Sequence, residues 1–170
     1  MSIKWVGKIV LFFFLILLQV WVFNRIHLFG MATPLVYLYF ILCLPSSMNR
    51  NPVMFLSFVL GLFIDAFSYT LGMYAIAATI AGFSRIYSLN LFVPRDMPNE
   101  YIPSVKSLGF ASYFKYAGSI VLLHHMVYFF VESLSLFDPV GLFLRIAGSF
   151  FLSMIVILAF ESINSDIFKK

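Results

Sequence analysis

From Ile9 to Phe23 the chain carries no charge, no Gly, Ala, Ser or Thr, and only Gln19 as an uncharged polar side chain. A segment of that kind folds stably only where hydrocarbon replaces water, because a helix that is apolar all round has no face to offer to solvent. Five more apolar runs follow. Measured against the roughly 20 residues that a spanning helix needs, the runs predict helices at about 5–23, 28–44, 52–67, 71–86, 113–136 and 139–162. With 62% hydrophobic and 11% charged residues, too little polar side chain is left to cover a water-soluble globule of 170 residues. The expectation is an all-α polytopic membrane protein built as one domain with six transmembrane helices.

The basic residues orient it. Lys and Arg are retained on the cytoplasmic side. With the amino terminus inside, Lys4, Lys8, Arg50, Arg85, Arg95, Lys106, Lys115, Lys169 and Lys170 are cytoplasmic, and only Arg25 and Arg145 are external. Both termini are therefore expected in the cytoplasm. The first run imitates a signal peptide, but no small-residue cleavage site follows closely, so it reads as an uncleaved span. Pro34 marks a helix start within the second run or a kink. Asn51 and Pro52 read as cap and first helical residue of the third. The interval 88–106 holds Pro94, Pro98 and Pro103 with charges of both signs, which reads as a solvated cytoplasmic loop. The basic residues are scattered, so nucleic acid is not an expected partner. Cys43 stands alone in an apolar run.

Polar residues inside the spans carry whatever specificity the chain has. Ser57, Gly61, Asp65 and Ser68 fall on one side of the third helix, a stripe that should face protein rather than lipid. Gly118, His125 and Glu132 share a face of the fifth. Asp65, Glu132 and Arg145 lie at similar depth toward the outer leaflet and are expected to form a polar cluster, with the arginine neutralising one or both acids. Structural pairing is favoured over a substrate site, since intramembrane charges usually pair even without a ligand. Ala77, Ala78, Ala81 and Gly82 on the fourth helix, and Gly141, Arg145, Gly148 and Leu152 on the sixth, predict close helix packing, within the monomer in preference to a dimer interface. His124 and His125 point about 100° apart on a regular helix and cannot chelate one ion together. No nucleophile setting or phosphate loop occurs, so no catalytic, metal or cofactor residue is nominated.

The run Leu60-Gly61-Leu62-Phe63-Ile64-Asp65, continuing through Ser68 to Leu71-Gly72-Met73-Tyr74-Ala75-Ile76-Ala77, resembles the central signature of MreD, the rod shape-determining membrane protein of bacteria. The resemblance extends over length, spans and cytoplasmic termini, although the interval 88–106 is longer than it implies. It makes Asp65 and Gly72 the characteristic positions. It also implies a fold similar to the substrate-binding subunit of energy-coupling-type vitamin transporters, and residence in the bacterial inner (cytoplasmic) membrane. The implied role is a noncatalytic scaffold that binds MreC and acts in side-wall peptidoglycan synthesis. RodA, a penicillin-binding transpeptidase and MreB belong to the same elongation machinery, and membrane lipid is the remaining contact. The alternative implied by the fold is a vitamin-binding transporter subunit, but the first helix lacks the small residues through which that class docks its coupling subunit.

Overall fold

The structure, a computed structural model, describes residues 3–26, 32–94, 97–133 and 138–167. Residues 28–31 of the expected second span, 134–136 of the fifth, and Arg95, Asp96, Lys169 and Lys170 lie outside the described residues. Helix α1 runs Ile3–Trp21 and closes with a 3-10 turn at Phe23–Arg25; α2 is Leu38–Leu42, α3 Arg50–Ser68 and α4 Met73–Phe92. Helix α5 is Val105–Leu108, α6 Phe110–Glu132 and α7 Pro139–Ile167. Among the described residues five helices are long and apolar enough to cross a membrane: Val6–Arg25, Arg50–Ser68, Met73–Phe92, Phe110–Glu132 and Pro139–Ile163. The fold is that of an all-α membrane protein.

The second expected span departs from a spanning helix. Of the described part of 28–44, only Leu38–Leu42 is α-helical. Pro34 has no N–H to give, and the N–H groups of Thr33, Leu35 and Val36 go to side chains of other helices, Ser149 at 3.0 Å, Ser153 at 2.8 Å and Gln19 at 2.8 Å. Residues 34–42 are all buried. Irregular backbone is tolerated at membrane depth only when protein surrounds and satisfies it. The segment thus becomes the axis of the bundle, and the spanning helices pack around it. Helix α1 turns Phe12, Leu15, Ile16 and Gln19 toward this axis and leaves Val10, Phe13, Leu17 and Trp21 exposed.

Three of the four stripe residues on α3 pack inward, and Ser68 is half-buried. Ser57, Gly61 and Asp65 are buried, and all three meet α4. A Cβ on Gly61 would lie 2.5 Å from both the Ala75 Cα and the Tyr74 carbonyl oxygen, and a Cβ on Gly82 would lie 2.5 Å from the Ser57 hydroxyl. Backbones approach that closely only through small residues. The antiparallel return is made by Tyr69 at φ 55° and Gly72 at φ 81°, the left-handed region open to glycine. Gly118 on α6 faces Phe150 of α7, and Gly148 on α7 packs against Ala32.

Besides α6 starting at Phe110 and α7 reaching Ile167, three further points differ from expectation. Helix α3 begins at Arg50 with Asn49 at its N-cap, so Asn51 lies in its first turn rather than capping it. Helix α4 continues past Ile86 to Phe92. The charge of Arg85 suggested an approaching interface, but that side chain is 2% exposed and bonded inside the bundle, so the helix does not end there. The interval 88–106 is likewise anchored where a solvated loop was expected: Tyr101 exchanges hydrogen bonds with Ser46, and Ser104 and Ser107 form a reciprocal cap on α5.

Candidate functional site

Asp65 stands one turn before the end of α3, and Gly72 lets the chain reverse so that the start of α4 faces it. The first N–H groups of a helix have no partner within it and carry a partial positive charge. Asp65 meets both needs, accepting from the backbone of Tyr74 at 3.2 Å and Ala75 at 2.8 Å, with the Thr70 hydroxyl as a third donor. Among the described residues no hydrogen bond joins it to Arg145. The expected three-residue cluster is corrected accordingly. The hydrogen bonds of Asp65 go instead to the start of α4 and to Thr70.

Beside this cap lies a cavity of about 360 Å³. The 3-10 turn contributes Asn24, the end of α3 contributes Phe67 and Ser68, and the start of α4 contributes Tyr74. Opposite them stand Tyr128 and Glu132 from the last turns of α6 and Arg145 from the second turn of α7. Glu132 and Arg145 thus line one cavity. Asp65 sits behind the wall and is connected to it through Thr70 and Tyr74, which both line the cavity.

The wall is cross-braced. Asn24 donates to the Ser68 hydroxyl at 2.8 Å while its carbonyl oxygen accepts from Gln19 at 2.8 Å and from the Tyr74 hydroxyl at 3.3 Å. One asparagine thereby joins α1, α3 and α4. The Tyr74 and Tyr128 rings lie 4.7 Å apart, and Tyr128 stacks on His124 one turn deeper.

Below the cavity, the buried segment is held by Gln19, Ser149 and Ser153. Gln19 serves it twice, since its amide nitrogen also donates to the Pro34 carbonyl at 3.1 Å. His125 has its Nδ1 2.7 Å from the Val121 carbonyl, which can only accept, so the proton sits on Nδ1 and Nε2 accepts from the Ser153 hydroxyl at 3.0 Å. His124 turns away from it to the Tyr37 hydroxyl. The two imidazoles have separate structural partners. Among the described residues there is no group of three or more His, Cys, Asp or Glu placed to hold a metal ion.

At the far end of the bundle, sequence reasoning missed two buried charges. Arg85 donates to the carbonyls of Leu44 and Pro45 and, at 3.1 Å, to the Tyr116 hydroxyl. Glu161 accepts from the Tyr39 hydroxyl at 2.9 Å and from the Val105 N–H at 3.0 Å. A signal for Arg85 was present, because Ala78, Ala81, Gly82, Arg85 and Leu89 continue one buried face of α4. Glu161 gave no such signal, lying where its span was expected to end. Of the other nominated residues, Ala78, Gly82 and Gly118 are buried in helix contacts and Gly148 is half-buried. No family model, no curated protein and no solved structure matches this chain.

Proposed function

We propose that this protein is a noncatalytic scaffold of the bacterial cell-elongation machinery, an inner-membrane partner of MreC that helps to place side-wall peptidoglycan synthesis. The observation that carries this reading is the use to which Asp65 is put. The residues that bear the resemblance to MreD, from Leu60 to Ala77, form the α3–α4 hairpin, and their one acid caps α4. A signature spent on holding a hairpin together suits a protein that works through its shape and its membrane-facing surfaces. The outward residues of α1, among them Val10, Phe13, Leu17 and Trp21, offer large apolar contact area to a single-span partner.

The topology proposed with it has six crossings. The buried segment counts as the second, since it runs from Thr33 beside the cavity to Leu44 and Pro45 beside Arg85. Amino and carboxyl termini then lie in the cytoplasm with Arg50, Lys106 and Lys115, and the cavity opens on the outer side. Mild-detergent copurification of a tagged copy from its own host tests the proposal. Recovery of MreC with RodA or the transpeptidase is the expected result. Recovery of an ATPase pair with a membrane coupling subunit overturns it in favour of the vitamin-transporter reading, which the cavity favours and the small-residue-free α1 opposes.

A further inference from the structure

We propose that the cavity at the ends of α1, α3, α6 and α7 binds a zwitterion carrying an ammonium group and an oxyanion, the chemistry of phosphoethanolamine, whether as a phospholipid headgroup or as the free compound. The inference does not depend on the identity of the protein partner. Its basis is the pairing of two kinds of wall. Glu132 and Arg145, of opposite sign and from different helices, line the same cavity of about 360 Å³, a size within the roughly 300–1,000 Å³ typical of small-molecule sites. Tyr74, Tyr128, Phe67 and Phe129 line it as well, with the two tyrosine rings 4.7 Å apart. Aromatic faces beside a carboxylate are the environment in which proteins hold ammonium groups. A guanidinium offers the planar fork that matches a phosphate or carboxylate.

Other polar groups of the wall are braced within the bundle, which gives the site its rigidity. Thr70 donates to Asp65, and Asn24 is engaged by Gln19, Ser68 and Tyr74. Those groups shape the cavity without collapsing onto a ligand, and a preformed wall lowers the cost of ordering on binding.

The test uses the full chain in nanodiscs of phosphatidylglycerol alone or mixed with phosphatidylethanolamine, with thermal unfolding as the readout. Soluble phosphoethanolamine is then titrated into the phosphatidylglycerol discs, and ethanolamine and inorganic phosphate are titrated separately as half-ligands. The expected result is a rise in melting temperature with the zwitterion and little with either half. Glu132→Gln and Arg145→Gln should each weaken the apparent affinity by about tenfold, the loss of one charge-assisted contact. A response to the soluble compound assigns the ligand to water; a response confined to phosphatidylethanolamine discs assigns it to lipid. Equal melting in all discs with no response to the soluble compound overturns the proposal, and so does a response that both variants retain. Should either variant fail to fold, retention of phosphatidylethanolamine over phosphatidylglycerol by the wild-type chain in native mass spectrometry decides in the same sense.

Discussion

The carboxylate of Asp65 accepts the backbone N–H of Ala75 at 2.8 Å, across a turn in which Gly72 takes φ 81°. One side chain at the end of α3 thus finishes the first turn of α4. The donors it serves would otherwise stand unpaired beside a low-dielectric interior, where each costs about 1–3 kcal/mol. Asp65→Ala should therefore lower the melting temperature in detergent more than Asp65→Asn, which keeps one acceptor oxygen. An Asp65→Ala protein that melts with the wild type would show that the cap contributes nothing to stability.

The two glycines of the hairpin act through different physics and should respond differently. At Gly61 an added methyl group meets backbone of α4 that cannot rotate away, so Gly61→Ala should force the helices apart and broaden the size-exclusion peak. At Gly72 there is open space but a left-handed backbone. Gly72→Ala should cost about 1–2 kcal/mol with the peak unchanged. If Gly61→Ala proves the milder substitution by unfolding and chromatography, the close approach of α3 and α4 is misassigned.

Arg85 ties the end of the buried segment to α4 and α6, and Cys43 lies next to its acceptor Leu44. Hydrogen bonds from a charged donor contribute about 1.5–3 kcal/mol each. Arg85→Ala should loosen residues 43–46 and speed maleimide labelling of Cys43, the sole cysteine, with Arg85→Lys intermediate. Labelling at the wild-type rate in Arg85→Ala would mean that the latch is dispensable.

Gln19→Leu offers a test in which simple hydropathy predicts the wrong sign. Leucine suits a membrane span better than glutamine, yet the substitution strands the Val36 N–H and the Pro34 carbonyl in the core. Unfolding measurements should find the variant destabilised by about 1–3 kcal/mol for each stranded group. A more stable Gln19→Leu protein would refute the bonding pattern assigned to the axis.

His125 and Ser153 touch at 3.0 Å, and the same hydroxyl accepts the Leu35 N–H. A double-mutant cycle of His125→Ala and Ser153→Ala should yield a coupling of about 0.5–3 kcal/mol. Additive losses would place the histidine outside the network.

Hydropathy and spacing by themselves determined the membrane setting, the five long helices and the inward stripe of Ser57, Gly61 and Asp65, because each of these is a property of one segment meeting one solvent. The small residues of α4 were legible for the same reason. Only the tertiary structure decided what Asp65, Arg85 and Gln19 do, since their partners are backbone groups that carry no signature in the sequence. The segment from Thr33 to Pro45 shows the difference most plainly. Its apolar composition resembles that of a spanning helix, but Pro34 and the side chains of α1, α4, α6 and α7 make an irregular path satisfiable there. That outcome depends on groups as many as 118 residues apart meeting in space. Local propensity reports how a segment treats its solvent, and the assembled bundle supplies the donors and acceptors that allow a segment to depart from it.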